Sequence, residues 1–313
     1  MTIALVFPGQ GSQAVGMGVD LAKSFAVARE TFEEVDEALQ QNLFKLISEG
    51  PSETLTLTEN AQPALMSVSL ALMRVLEIEG GFETTANAAF VAGHSLGEYS
   101  ALAAVGSFTL PEAARLLKTR GKAMQESVPL GEGGMAALLG ANLEAASKLT
   151  EAAAEGEVCS PANDNAADQV VISGSTSAID RAVALAPEFG IKRAIPLSVS
   201  APFHCDLMSP AADVMQEALT KINVLPPLVP LIANVTARPV LEPSTICRQL
   251  VQQVTGMVRW RESVLQMKKE GVDTLVEIGA GKVLGGLVRR IDQEMSGVSV
   301  SDPVSVEKFL LSL

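Results

Sequence analysis

The chain has 313 residues, 48% of them hydrophobic, and a formal net charge of −13. That composition suits a compact enzyme of one large domain plus an insert rather than a disordered or fibrous chain, and its acidity argues against a general nucleic-acid footprint, because the phosphate backbone would be repelled. Cys159, Cys205 and Cys247 are odd in number and form no C-x-x-C pair, which points to reduced thiols in a cytoplasmic protein. Residues 1–7 carry no positive n-region, and polar or glycine residues interrupt each apolar run, so neither a signal peptide nor a membrane span is expected.

Ile3-Ala4-Leu5-Val6-Phe7 reads as a short apolar strand ended by Pro8-Gly9-Gln10-Gly11-Ser12-Gln13. Gly9-x-Gly11-x-x-Ala14 matches a dinucleotide fingerprint, but residues 28–39 are helical in period where that fingerprint needs a second strand ending in an acid. The favoured reading is a glycine loop whose backbone approaches a ligand closely. Helices are expected over 25–40, 43–48 and 61–79, the last started by Thr58-Glu59-Asn60 with Pro63.

The segment Phe90-Val91-Ala92-Gly93-His94-Ser95-Leu96-Gly97-Glu98-Tyr99 carries most of the chemical signal. An apolar strand over 88–92 runs into an Ala-rich helix over 96–105, which places Ser95 at a strand-to-helix turn. Gly93 and Gly97 flank it at the G-x-S-x-G spacing of a nucleophile elbow, a turn too tight for side chains beside it. The new helix turns its free N–H groups toward the serine hydroxyl, so the Leu96 amide can meet an oxyanion.

Thr109-Leu110-Pro111-Glu112 opens the next helix with Thr109 as N-cap. Ala113, Leu116, Leu117, Arg120 and Met124 share one face of it, so Arg120 lies on the stripe to be buried. A buried guanidinium needs an anion, and the stripe has none; the partner is a distant acid or a ligand carboxylate. From Met135 the pattern becomes a β-α-β-β-α-β block, with strands over 135–139, 157–162, 169–173 and 192–197 and helices over 143–154 and 177–189. This is the order of a ferredoxin-like unit. It predicts a ferredoxin-like subdomain at 128–197, inserted between 1–127 and 198–313 of a larger α/β domain, which can form the far wall of a cleft.

Ser200-Ala201-Pro202-Phe203-His204 comes directly after the insert. The chain has two histidines. His94 precedes Ser95 in a tight turn and should diverge from it, so His204 is the candidate base. No H-E-x-x-H spacing exists, and no metal is expected. Further strands are expected over 229–235 and 274–278, and helices over 247–254, 263–270, 283–294 and 304–313. Gly279-Ala280-Gly281-Lys282 hints at a P-loop, but Val283 stands where a Ser or Thr is needed, so phosphate transfer is set aside.

Taken together, Phe7-Pro8-Gly9-Gln10-Gly11-Ser12-Gln13, Gly93-His94-Ser95-Leu96-Gly97-Glu98-Tyr99-Ser100, Thr119-Arg120-Gly121-Lys122-Ala123-Met124-Gln125, Pro202-Phe203-His204, Asn234-Val235-Thr236 and Glu277-Ile278-Gly279-Ala280-Gly281-Lys282 resemble the malonyl-CoA:acyl carrier protein transacylases, the acyltransferase family of fatty acid synthesis. The resemblance covers essentially the whole chain and implies an α/β-hydrolase-like core. It implies Ser95 as nucleophile and His204 as its base, with an oxyanion hole from the backbone amides of Gln10 and Leu96. Arg120 matches the arginine that pairs with the malonyl carboxylate, and Phe203, Met124 and Asn234 fall in the substrate-binding motifs. A glutamine carbonyl, by position that of Gln253 rather than Gln252, takes the place of a triad aspartate in orienting the histidine. Asp206 and the absence of Pro before Val258 depart from the family's pattern.

The resemblance further implies a ping-pong transfer of malonyl from malonyl-CoA to the phosphopantetheine thiol of acyl carrier protein through malonyl-Ser95, by a monomer without cofactor. Lys192-Arg193 and Arg289-Arg290 are candidate docking residues for the acidic carrier. The discrete chain with no appended modules favours the fatty acid pathway over polyketide synthesis. The alternative is a serine thioesterase or esterase, which would want an acid between Ser95 and His204 in chain order.

Overall fold

The structure is a computed structural model and describes all residues from Met1 to Leu313. Its ten strands, in chain order, are β1 Ile3–Phe7, β2 Ala88–Gly93, β3 Gly133–Leu139, β4 Cys159–Ala166, β5 Gln169–Ser175, β6 Arg193–Pro196, β7 Leu231–Ile232, β8 Pro239–Val240, β9 Thr274–Ile278 and β10 Ser296–Val300. They form two sheets, a six-stranded one in the order β10-β9-β1-β2-β7-β8 and a four-stranded one in the order β4-β5-β3-β6. The larger sheet is parallel except for its β7–β8 edge pair, and the smaller is antiparallel throughout.

The run of five apolar residues in β1 is explained by its central place in the sheet, covered on both faces. Alternate side chains divide between two cores: Ile3, Leu5 and Phe7 join the cluster that includes Phe32, Leu65, Tyr99 and Leu117, while Ala4 and Val6 join Ile232, Val258, Trp260 and Leu284. A third cluster, containing Leu138, Leu149, Val170, Ile172 and Ile179, belongs to the small sheet and its two helices. The carboxyl ends of β1, β2 and β7 lie side by side, so the segments after them meet at one edge of the large sheet, the edge where open α/β sheets bind ligands.

Several elements differ from those the sequence pattern predicts. The helix expected over 61–79 begins at Thr58 and ends in a π-helical turn, Val75–Glu79. Thr58–Glu79 has the length to cross a membrane and contains an 18-residue window of mean hydropathy 1.3, contrary to the expectation that no run approaches that length; 83% of that window is buried inside the protein, so its apolar surface is spent on the core. The strand expected over 229–235 shrinks to Leu231–Ile232, consistent with Pro230 having no N–H to donate. Strand β10 and the helix Ser209–Thr220 have no counterpart among the expected elements.

The most informative difference is β4. Its pattern suggests a strand over 157–162, yet it runs through Asn163-Asp164-Asn165, three buried polar residues. A polar run of this kind reads as a loop when its partners are out of sight. Here the large domain supplies them: Asp164 N donates to Val258 O and Val258 N to Ala162 O, Arg261 Nε donates to Asp164 Oδ2 at 3.0 Å, and Asn165 Oδ1 lies 2.9 Å from His94 Nε2.

The elbow between β2 and the helix Gly97–Ala104 is closed by backbone-to-backbone approach. A Cβ on Gly93 would overlap the Gly97 carbonyl, and one on Gly97 would overlap Phe7 O. Both obstacles are main chain and cannot rotate aside. Gly93→Ala is therefore expected to destabilise the fold by about 3 kcal/mol or more, measured as a shift in urea midpoint at unchanged m; a wild-type midpoint would contradict this account of the turn.

Candidate active site

At the top of β2 the chain turns sharply, and Ser95 takes φ 54, a left-handed conformation uncommon outside glycine. Three bonds hold it there: His94 N to Phe7 O at 3.0 Å, Ser95 N to Asn234 Oδ1 at 2.8 Å, and Asn234 Nδ2 to Gly93 O at 2.6 Å. The Ser95 hydroxyl lies 2.8 Å from His204 Nε2, across 109 positions of chain. His204 also has a positive φ, 60. Strain of this kind persists where surrounding structure over-determines it, as it does at functional sites.

No carboxylate touches His204. Its Nδ1 lies 2.8 Å from Gln253 O and 3.0 Å from Gly256 O. Gln253 belongs to the last turn of the helix Pro243–Thr255, where carbonyls lack an intrahelical donor. Carbonyl oxygens only accept, so Nδ1 must carry the proton and Nε2 offers its lone pair to the serine hydroxyl. Burial is the chief cause that pulls the His204 pKa down to about 3, and the Arg120 charge adds to it. The imidazole is therefore neutral at rest.

Arg120 is 1% exposed. Its Nη1 donates to Gln62 Oε1 at 2.8 Å, its Nη2 to Gln253 Oε1 at 2.8 Å and to Ser95 Oγ at 3.2 Å. The guanidinium lies 5.7 Å from the centre of the Tyr99 ring, and its Nε has no hydrogen-bond partner. None of its contacts is a carboxylate. Of the two partners left open by the sequence, a distant acid in direct contact is thus not what the fold provides.

The backbone amides of Gln10 and Leu96 stand in the turns after β1 and β2 and donate to no protein group. The Gln10 side chain donates to Thr58 Oγ1 at 3.3 Å. Phe203, 9% exposed, precedes the histidine. Two residues expected to bind substrate make contacts within the protein. Asn234 uses both polar ends of its side chain on the elbow backbone, and Met124 is buried, its Sδ accepting from Gln62 Nε2 at 3.7 Å behind the arginine. His94 diverges from Ser95 as expected, toward Asn165 and the Trp260 ring.

Sequence reasoning passed over Gln62, Glu98 and Tyr99. The first had a signal, a polar side chain entering the mainly apolar part of its helix; the others were read only as part of the elbow motif. The Gly279–Lys282 loop is explained as well: both oxygens of Glu277 accept amides at the N-terminus of the next helix, from Leu284 and Gly285 at 3.1 and 2.8 Å, which is where a phosphate would otherwise bind. Arg290 is engaged with Asp168 and Gln169 at 2.7 and 2.6 Å.

Residues 4–304 match the family described as "Acyl transferase domain". The chain is 44% identical over 312 residues to the malonyl CoA-acyl carrier protein transacylase of Bacillus subtilis (strain 168), covering 99% of this chain and 97% of the relative. It is 46% identical over 300 residues to that of Escherichia coli (strain K12), covering 96% of each. Among solved structures, an acyl-carrier-protein-S-malonyltransferase from Bartonella henselae superposes with a TM-score of 0.97 at 51% identity, covering 100% of this chain and 99% of the other. A malonyl-transacylase in complex with a type II PKS acyl-carrier protein superposes with a TM-score of 0.96 at 41% identity, covering both chains fully.

The histidine also makes a stability prediction. Its folded-state pKa is depressed from 6.5 to about 3, so below pH 6.5 the unfolded chain takes up a proton that the folded one refuses, and stability is lost as pH falls through that window. His204→Gln should lose less stability than the parent between pH 7 and pH 5, read from denaturant midpoints at both values; equal losses would contradict a buried neutral imidazole.

Proposed function

Since the chain belongs to the acyl transferase family, we propose that it transfers malonyl from malonyl-CoA to the phosphopantetheine thiol of acyl carrier protein, in fatty acid biosynthesis, by way of a malonyl ester on Ser95. The observation that carries this reading is a nucleophile and base at 2.8 Å beside a buried guanidinium that no protein carboxylate neutralises. His204 Nε2 takes the Ser95 proton as Oγ attacks the thioester carbonyl. The amides of Gln10 and Leu96 hold the oxyanion, and collapse of the tetrahedral intermediate expels the CoA thiolate, which leaves with the proton from His204. The carrier thiol then gives its proton to His204 and attacks malonyl-Ser95, and collapse of the second tetrahedral intermediate forms the malonyl-carrier thioester and releases Ser95 Oγ, which takes that proton back from His204.

Arg120 is the receptor for the free malonyl carboxylate, which takes the place of the anion the fold withholds. The carbonyls of Gln253 and Gly256 fix the imidazole and stabilise its charged form during the proton transfer. Phe203 narrows the room beside the acyl α-carbon. The two sheets are read as an α/β-hydrolase-like core, 1–127 and 198–313, with a ferredoxin-like subdomain at 128–197; the β4-β5-β3-β6 order supports the latter. No cofactor is required by this chemistry. Lys192 and Arg193 remain exposed for docking an acidic carrier, whereas Arg290 is engaged within the chain. A cytoplasmic monomer completes the reading.

Intact-mass analysis after mixing with malonyl-CoA should show one malonyl adduct, absent from Ser95→Ala; an adduct retained by Ser95→Ala would refute the assigned nucleophile, and steady release of free malonate without a thiol acceptor would favour a hydrolase. Arg120→Ala should lower malonyl kcat/KM by about 30-fold or more, the cost of losing a buried charged pair, while leaving or raising acetyl transfer. Equal loss with both substrates would remove Arg120 from the recognition of the acid end.

A further inference from the structure

One buried ionisable side chain stands against this machinery without a place in the mechanism. Glu98 lies in the first turn of the helix after the elbow and is 1% exposed. Its Oε2 accepts from Gln253 Nε2 at 2.7 Å and from Asn234 N at 3.3 Å. No cation is in ion-pair contact with it. Burial is the main reason its pKa rises to about 7, so the fold bears a cost to keep an acid here.

The partner it has chosen is informative. The Gln253 side chain can present either its oxygen or its NH2 to Arg120, and the second choice would set donor against donor. Its Nε2 donates to Ser95 O at 2.9 Å and to Glu98 at 2.7 Å, and its Oε1 accepts from Arg120 Nη2 at 2.8 Å. The same Nη2 is the one within 3.2 Å of Ser95 Oγ. An acid placed directly on Arg120 would compete with a substrate carboxylate for the same donors; an acid placed one amide away does not.

We propose that Glu98 is a positioning residue: its carboxylate fixes the Gln253 side-chain amide so that the amide oxygen anchors Arg120 beside Ser95, leaving the guanidinium uncompensated for an acyl carboxylate. This rests on the reading of Arg120 as the receptor for that carboxylate. The role is one of orientation, so it belongs to any side chain at 98 that accepts a hydrogen bond from Gln253 Nε2.

The test compares kcat and KM for malonyl-CoA and acetyl-CoA in the full chain, with acyl carrier protein as acceptor. Glu98→Leu fills most of the space without an acceptor and should lower the malonyl-to-acetyl ratio of kcat/KM about tenfold, a change of about 1.4 kcal/mol. Glu98→Gln keeps an acceptor oxygen and should stay within about threefold of the parent. A folded Glu98→Leu with the parent's ratio overturns the proposal, and so does a Glu98→Gln that loses as much as Glu98→Leu, because charge rather than orientation would then be responsible. If Glu98→Leu does not fold, Gln253→Leu decides: it removes the amide that Glu98 holds and must itself lower the ratio, and a parent-like ratio overturns the proposal. Failure of the underlying reading looks different, since the parent enzyme would itself show no malonyl preference.

Discussion

A positive charge sealed from water with no anion against it is the constraint around which this site is built. Desolvation of a guanidinium is costly, and the protein meets part of that cost with neutral acceptors: two glutamine oxygens, a serine hydroxyl and the face of a tyrosine ring hold Arg120. Each of those groups is itself anchored. Gln62 donates to Met124 Sδ, Gln253 to the Ser95 carbonyl and Glu98, and Tyr99 is wholly buried. The arrangement stabilises the arginine enough to keep it ordered and leaves its charge for something from outside.

The same economy governs the histidine. A triad acid beside His204 would hold its tautomer, but it would also lie close to Arg120 and claim that charge. Carbonyls from the end of the helix Pro243–Thr255 fix the same proton on Nδ1 without adding a full negative charge. Ser95, His204 and Arg120 thus share one residue, Gln253, whose main chain holds the imidazole and whose side chain holds the guanidinium. The helix ends at Thr255, which leaves the carbonyls of Gln253 and Gly256 available to His204, and a Cβ on Gly256 would crowd Gln252 O at 2.8 Å.

Local pattern made much of this legible. The five-residue strand at 3–7, the glycines at 93 and 97, the N-cap at Thr109 and the helix period that buried Arg120 are each decided within a few positions of chain, and the structure has them. His204 followed from the choice between two histidines, whereas resemblance to a family, rather than pattern, brought Gln10 and Gln253 into the reading. What escaped was decided by partners distant in sequence. The strand expected over 157–162 stops short of Asn163-Asp164-Asn165 because the partners of that stretch sit at 258, 261 and 94. Nothing near Asn234 announces that both ends of its amide bond to residues about 140 positions earlier. Polar residues buried in helices and strands are the places where a one-dimensional reading loses its way, since their satisfaction is a long-range property.

The buried polar stretch of β4 has a bearing on modularity. Its contacts reach Val258, Arg261 and the imidazole that immediately precedes the nucleophile. The smaller sheet is therefore no cassette that could be lifted from one homologue and set into another at its two chain junctions alone. A chimera would have to bring compatible residues at 94 and 261 along with it, or leave the buried side chains of Asp164 and Asn165 without the partners they have here.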